Sequence, residues 1–348
     1  MPTDPGVEAL LRRTVERELA AEVAAIAALA GQLGARRFYR VTLAGGAPTT
    51  LVARIDRVED PAGRPAGVAP EPPHEPIRAL LAANGVPVPA RYGGDAEQGV
   101  ELLEDVGDRS LQAAASAATA PERRSLYHAA CDLVPRLQEI QAPRPPIAAF
   151  RRRLDDALFA YKADLFATWA LGQRTRGASS AERAVVEAAF ARAARAAADA
   201  PQRLAHRDLQ SANIHIVSGR GLVLIDLQGA FLAPPEYDLV CLLHDSYVEL
   251  PDDEVRHQCE RIRPQLPDAP EAATFARRFD LLTLTRKGKD LARFLYAAVE
   301  RGDDRYLAYV PRTVAMLRAA AERAAERDPA LRGFAELCHT LREQPCAR

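Results

Sequence analysis

The sequence predicts an α+β fold in two parts: a small strand-rich N-terminal part, residues 1–105, and a larger, mainly helical part, residues 106–348. Three observations carry this expectation. Runs rich in β-branched and aromatic residues concentrate before residue 105. Alanine-rich stretches with helical spacing fill most of the chain beyond it. Embedded in that helical region, Leu204 to Ala230 (LAHRDLQSANIHIVSGRGLVLIDLQGA) reads as a β-hairpin with polar groups at the outer ends of its strands. A chain of 348 residues can supply both parts with a core.

Asp4-Pro5 reads as a helix cap with proline in the first turn. Leu11, Val15, Leu19, Val23 and Ile26 follow at helical spacing, which carries the helix to Gly31 or Gly34. Arg37 to Leu43 and Thr50 to Ile55 flank Gly45-Gly46 as a second hairpin. The stretch from Val58 to Pro76, rich in Pro, Gly and charge, predicts a loop. Ile77 to Asn84 is a short helix, and Val86 to Tyr92 and Gly99 to Leu103 are strands. Helices run from Leu111 to about Ala200 and resume at Tyr237.

Composition excludes several classes. The net charge of −1 lacks the basic excess of a nucleic-acid binder, and no apolar run approaches membrane-spanning length. Five cysteines without a CxxC pair or metal-ligand spacing suggest reduced thiols, and the charged N-terminal stretch lacks a signal-peptide pattern. A monomeric cytoplasmic protein is the expectation. The only lysines are Lys162, Lys287 and Lys289; arginine supplies every other cation.

In the central hairpin, His206-Arg207-Asp208 precedes Asn213 by a fixed spacing, and a turn at Ser218 to Gly221 returns a strand into Asp226. With the turn centred on Gly219-Arg220, Val217 faces Leu222, and Asn213 faces Asp226. Two oxygen donors then share one end of a ladder, with Asp208 one loop away. A hard cation and a proton acceptor are what phosphoryl transfer from a nucleotide requires. Each residue alone also fits a turn or cap, but the three together at this spacing are harder to explain so. Asn213 is one of two asparagines in the chain.

HRDLQSAN followed by LIDLQGA resembles the catalytic and metal-binding loops of the aminoglycoside phosphotransferase and choline kinase superfamily, relatives of the protein kinases. The resemblance covers nearly the whole chain. It implies a bilobal protein-kinase-like fold with ATP in the cleft. Asp208 would be the base that accepts or orients the acceptor proton. Asn213 and Asp226 would hold Mg²⁺, with His206 and Arg207 as structural support. Asp238, in a YDL context, would tie its helix to the catalytic loop. Asp245, in LLHDSY, would point to the substrate; otherwise it is a solvated helix carboxylate.

The family's small-lobe lysine has no counterpart, because no lysine precedes Lys162. Arg54 in LVAR, at the lysine's place, is the candidate phosphate ligand, with Glu75 as its partner acid; otherwise it is a solvent-exposed strand arginine. Gly34 to Phe38 is the sole candidate for a glycine-rich loop. Glu104 and Asp105 lie in the segment resembling the family's adenine-binding connection.

RRFYRV, VPVPARYG, LLEDVGD and DLQGAFLAPPEYDLVCLLHDSYV further resemble the anomeric kinases of bacterial cell-wall recycling, which act on N-acetylmuramate and N-acetylglucosamine. Arg286 and Lys289, in a run that otherwise reads as a solvated helix face, would suit a lactyl carboxylate. Two departures stand out: Gly229 replaces the acid or larger residue usual in the family, and the N-terminal helix looks long. A kinase for a cationic acceptor (an aminoglycoside or choline) and a non-catalytic nucleotide-binding protein are the alternatives.

Overall fold

Asp4 accepts a hydrogen bond from the Gly6 amide at 2.8 Å, and Pro5 opens helix α1 (Pro5–Leu19). In this computed structural model, which describes residues 4–29, 36–56, 72–172 and 177–343, the helix ends earlier than its apolar spacing predicts. Ala20 turns left-handed at φ 51°, and the next residues form strand β1 (Val23–Ala28), antiparallel to β2 (Arg37–Leu43). VAAIAA has no strong preference of its own, so the ladder with β2 decides its state. Gly31, Gly34 and Ala35 lie outside the described residues, while Arg37 and Phe38 of the expected glycine loop open β2.

The described residues form two compact units. One comprises the described residues of 1–66, 87–108 and 215–225, and the other those of 67–86, 109–214 and 226–348. The units therefore interleave along the chain, whereas the sequence suggests one cut after residue 105.

In the smaller unit, β3 (Thr50–Ile55), β4 (Arg91–Asp95) and β5 (Val100–Glu104) complete an antiparallel sheet of order β1-β2-β3-β5-β4. Val7, Leu11 and Val15 of α1 pack on one face against Val41, Leu51, Ala53 and Leu102. Burying each such side chain contributes about 1.5–3 kcal/mol. Alternation along β3 sends Leu51, Ala53 and Ile55 to this core and Arg54 to the opposite face. The fourth strand begins later than the Val86 start predicted, because its ladder with β5 runs from Arg91.

The central hairpin, β7 (Ile214–Val217) and β8 (Gly221–Leu224), belongs to this unit and is not an island among helices. The Leu224 amide donates to the Pro87 carbonyl at 2.9 Å, Arg220 Nη2 to Val88 O at 3.1 Å, and His215 Nδ1 to Gly107 O at 2.8 Å.

The larger unit holds α2 (His74–Ala83), α3 (Leu111–Ala117), α4 (Ala120–Cys131), α5 (Leu133–Gln138) and α6 (Asp156–Leu165). After them come α7 (Ser180–Ala198) and a short pair, β6 (Arg203–Ala205) with β9 (Phe231–Ala233). Helices α8 (Tyr237–Leu243), α9 (Asp252–Ile262), α10 (Ala272–Arg301), α11 (Val310–Arg327) and α12 (Arg332–His339) complete it. α2 starts at His74, earlier than predicted; most of the predicted loop before it, residues 57–71, lies outside the described residues.

The 30-residue α10 is the spine of this unit and packs against α6, α7, α8 and α11. At Gly288 it comes so close to its neighbours that an added Cβ would lie 3.2 Å from Phe190 and 3.3 Å from Phe166. The architecture is thus a protein-kinase-like α+β fold: an antiparallel sheet in one unit and a larger helical part. Among the described residues no helix is long and apolar enough to cross a membrane, and Cys131, Cys241, Cys259 and Cys338 are free thiols. Cys346 lies outside the described residues.

Candidate active site

The loop from His206 to Asn213 lies in the larger unit and is held from three sides. β6 leads into it, and Asp238 at the start of α8 takes both of its first amides. The Asp238 carboxylate accepts from His206 N at 2.7 Å and from Arg207 N at 3.0 Å. Asp238 is 2% exposed, and burial raises its pKa above the usual carboxylate value even though His206 and these amides oppose the shift.

The Arg207 carbonyl is held as well. It accepts from Cys241 Sγ at 3.3 Å and from Arg286 Nη1 at 3.1 Å. Arg207 sits at φ 80°, a conformation that costs a non-glycine residue about 1–3 kcal/mol. Fixing its peptide groups on both sides is how the fold maintains that strain beside Asp208.

Further along, Ser211 donates both N–H (2.8 Å) and O–H to Asp245 Oδ2, and the Tyr247 amide takes Oδ1 at 3.1 Å. Asp245 is 1% exposed, and burial raises its pKa. The structure therefore gives Asp245 a place beneath the loop and not the substrate-facing position expected. Helix α8 ends at Leu243, so Asp245 lies beyond it and is not a helix carboxylate.

Asp208 itself meets cations from α10. Arg286 Nη1 donates to its Oδ1 at 2.8 Å, Lys289 Nζ lies 4.0 Å from the same oxygen, and Arg207 Nε lies 3.9 Å from Oδ2. Burial alone would raise the pKa of this carboxyl, but Arg286, Lys289 and Arg207 outweigh it and hold the group far below the usual range. Held by these cations, Asp208 favours its ionised form, a carboxylate that accepts hydrogen bonds.

The RKGKD run of α10 is not a solvated face. Arg286 is 1% exposed and Lys287 0%. Asp290, one turn on, binds Lys287 Nζ at 2.8 Å and Arg286 Nε at 3.2 Å, with Lys289 Nζ 3.5 Å away. Arg286 is thus buried on Asp208 and Asp290, whereas the sequence suggests a group facing the lactyl carboxylate. Lys289 keeps 23% of its side-chain surface exposed. Burial, with Arg286 beside it, pulls its amine down to about 8.

Asn213 and Asp226 bracket the hairpin in sequence. Asn213 Nδ2 donates to the Asp208 carbonyl at 2.9 Å, which leaves its Oδ1 buried with no hydrogen-bond partner. Asp226 stands left-handed at φ 61° and accepts from Gln228 Nε2 at 2.6 Å. An unsatisfied amide oxygen and a carboxylate are the hard donors a magnesium ion takes while keeping water and phosphate as its other ligands. These residues fit such an ion. Gly229 belongs here too: a Cβ there would lie 3.4 Å from Arg207 Cδ and 3.6 Å from Asp208 Oδ2, so its smallness leaves room beside the carboxylate.

One buried group carries no signal in the sequence. Lys162 on α6 is 5% exposed, and its amine has no hydrogen-bond partner; it lies 5.2 Å from the Phe159 ring and 5.4 Å from the Tyr237 ring. Ring attraction returns about 0.5–2 kcal/mol, less than the several kcal/mol of desolvating an ammonium. Burial first, then Lys289 and Arg286, bring this amine down to about 7. Ser211 and Asp290 are equally silent, because nothing in sequence spacing pairs Ser211 with Asp245 or turns Asp290 inward.

The residues expected to meet the nucleotide lie in the smaller unit. Arg54, 3% exposed, binds Glu101 directly across the ladder at 2.7 Å and Asp56 at 2.8 Å, while its Nε is buried and unpartnered. Glu75, suggested as its partner, binds Arg78 in its own helix at 2.6 Å. Glu104 accepts from the Ala90 amide at 3.0 Å and pairs with Arg220; Asp105 pairs with Arg40 at 2.6 Å and accepts from Gly107 N at 3.0 Å. Their side chains are engaged in framing the segment, and the Glu104 amide donates to the Ala90 carbonyl at 2.8 Å.

A kinase-like fold that carries a cation-held aspartate directly after a strained Arg207, with two oxygen donors flanking the hairpin in sequence, defines a phosphotransferase. The chain belongs to the phosphotransferase enzyme family, whose model matches residues 25–273. It is similar to an N-acetylmuramate/N-acetylglucosamine kinase of Pseudomonas aeruginosa, 28% identical over 279 residues that span 77% of this chain and 78% of that one. The Pseudomonas putida protein of the same name is 29% identical over 252 residues, spanning 70% and 71%. Among solved structures, choline kinase LicA from Streptococcus pneumoniae matches with TM-score 0.61 at 15% identity, covering 92% of this chain and 99% of that one. An ADP-bound aminoglycoside phosphotransferase matches with TM-score 0.54 at 12% identity, covering 92% and 99%. At these identities the likeness to the two structures is one of fold.

Proposed function

We propose that this phosphotransferase is a sugar kinase that moves the γ-phosphoryl group of ATP, with Mg²⁺, to the anomeric hydroxyl of N-acetylmuramate or N-acetylglucosamine, in the cytoplasmic recycling of cell-wall sugars. The observation that carries the reading is the pair Asp208–Arg286. A carboxylate so strongly held by a guanidinium at 2.8 Å is a poor base for an ordinary alcohol. It suits an anomeric hydroxyl, which is more acidic and needs orientation more than deprotonation. The curated relatives are named as kinases of these two sugars, which supports the choice of sugar.

In this reading Asp208 accepts a hydrogen bond from the acceptor hydroxyl and takes its proton late, as the bond to phosphorus forms. Asn213 and Asp226 hold the metal, which when bound neutralises phosphate charge. Asp238, Cys241 and Arg286 keep the loop in its strained form. Lys289, the α10 cation of this cluster with solvent access, meets the lactyl carboxylate that distinguishes N-acetylmuramate.

A kinase for a cationic acceptor is the competing reading, motivated by the fold of the choline and aminoglycoside enzymes. It calls for anionic groups facing the acceptor, whereas Lys289 and Arg207 flank Asp208 and Asp245 is buried. Purified protein supplied with Mg-ATP and a panel of amino sugars, aminoglycosides and amino alcohols tests the two, with Asp208→Asn as the blank. Turnover of the N-acetylated sugars with release of a 1-phosphate is expected. Preference for an amine substrate would overturn the proposal.

A further inference from the structure

Lys162 is a buried amine that the chemistry above does not use, on a helix packed against α10, which carries Arg286 and Lys289. Its amine is enclosed by Phe159 of its own helix and Tyr237 of α8, and it has no hydrogen-bond acceptor. The titratable groups that bear on it most strongly are Lys289 and Arg286 of α10, Cys241 of α8 and Arg207 of the catalytic loop. Three of these are cations. Burial pushes the Cys241 thiol up to about 12 and pushes the Tyr237 hydroxyl up as well, so both neighbours on α8 are neutral at physiological pH. None of these groups offers a proton on Lys162 a counter-charge.

The consequence runs through Arg286. That guanidinium already has two carboxylates, Asp208 and Asp290, and the Arg207 carbonyl to satisfy. Arg286, Lys287 and Lys289 outnumber the carboxylates in the cluster before Lys162 is counted. With Lys162 neutral, Arg286 and Lys289 stay on Asp208. With Lys162 charged, an uncompensated buried ammonium repels both Arg286 and Lys289.

We propose that Lys162 is a positioning residue that works as the neutral amine: its protonation loosens the Arg286 and Lys289 hold on Asp208 and sets the acid limit of phosphoryl transfer. A group of this kind makes the enzyme a sensor of cytoplasmic acidification with no surface histidine involved. The proposal rests on Asp208 as the group that orients the acceptor.

Two measurements on the full chain test it. The first is the pH profile of kcat/KM for wild type and Lys162→Met, an apolar side chain of similar length. The wild-type value is expected to fall about tenfold from pH 8 to pH 6, the span over which one group titrating near 7 takes up its proton. The variant, assayed with the same nucleotide and sugar, is expected to lack that fall. A variant that keeps the wild-type acid limb overturns the proposal.

The second is the melting temperature against pH, which needs no turnover. An amine that is neutral in the folded chain and charged in the unfolded one makes the unfolded state bind the extra proton between about pH 7 and 10, so stability rises with pH there. Wild type is expected to gain melting temperature over that range. Lys162→Met is expected to melt higher than wild type at pH 7 and to gain less. Lys162→Leu serves as a second apolar variant. Variants that melt lower than wild type at pH 7, or fail to fold, mean that the amine is a charged, paired structural group, and the proposal falls. Turnover retained by Asp208→Asn would be a different failure, that of the reading of Asp208 itself.

Discussion

Arg286 Nη1 stands 2.8 Å from Asp208 Oδ1, while Nε of the same guanidinium stands 3.2 Å from Asp290 Oδ2. One buried cation therefore joins the loop carboxylate to the helix that supports it. Arg286→Met leaves both carboxylates without their shared partner, and breaking a buried pair this way costs about 3–5 kcal/mol. Urea unfolding at pH 7 is expected to register that loss. Both carboxylates are held below their ordinary range, so the stability they confer is present above about pH 4 and lost as the medium becomes more acid. The gap between variant and wild type should narrow below that pH.

Lys289 gives the reaction a second pH signature on the alkaline side. Its amine, brought down to about 8, is charged below that pH and neutral above it. KM for N-acetylmuramate is expected to rise as the pH passes 8, while KM for N-acetylglucosamine, which has no carboxylate, stays flat. Lys289→Met should raise KM for the acidic sugar at pH 7 by about tenfold, the value of a charge-assisted hydrogen bond, without raising KM for the neutral sugar; any loss from its place 4.0 Å from Asp208 falls on kcat for both sugars alike. Steady-state assays with both sugars decide the matter, and equal effects on the two KM values would remove Lys289 from carboxylate recognition.

At the oxygen-donor pair, Asn213→Ala and Asp226→Asn are expected to raise the Mg²⁺ concentration needed for half-maximal turnover by about 10- to 100-fold. Asn213→Ala also removes the bond from Nδ2 to the Asp208 carbonyl. A Mg²⁺ titration at saturating nucleotide separates the effects: loss restored by more metal identifies a ligand, and loss untouched by metal identifies a brace.

Gly288→Ala tests the close approach of α10 to Phe166 and Phe190. Alanine would gain about 0.5–1 kcal/mol of helix propensity. Overpacking costs about 1–3 kcal/mol, and at 3.2–3.3 Å from two rings the crowding outweighs the gain in propensity. A lower melting temperature is expected, together with a fall in kcat, because Arg286, Lys287, Lys289 and Asp290 all lie within two residues of the displaced position.

The two-part α+β fold and the catalytic loop are legible in the sequence because short-range signals encode them: strand periodicity, a capping Asp-Pro and the HRDLQSAN spacing. What is not legible depends on distant contacts. Val23 and Ile26 fit a helical face as well as a strand, and only pairing with β2 decides. The RKGKD run has the composition of a wet helix, yet Phe166, Phe190 and the loop enclose it. Asp245 misleads for a related reason: an acid near a helix end gives no hint that Ser211, far back in sequence, will cover it. Arg54 is recognisable as a strand arginine, but its partner Glu101 sits across the ladder, beyond the reach of i, i+3 reasoning.

The delivery of Arg286 by α10 also bears on how this chemistry can be moved between proteins. Residues 206–213 resemble a self-contained cassette, but their working conformation is borrowed: Asp238 fixes one face of Arg207, Arg286 and Cys241 the other, and Asp245 the far end. A graft of the loop onto another helical scaffold would carry the aspartate and leave behind the charge that tunes it. The smallest transplantable part of this enzyme is therefore a loop and three supports: the first turn of α8, the Asp245 segment beyond that helix, and the middle of α10. The farthest of these supports, Arg286, lies 78 residues beyond Asp208, on the order of half a typical domain.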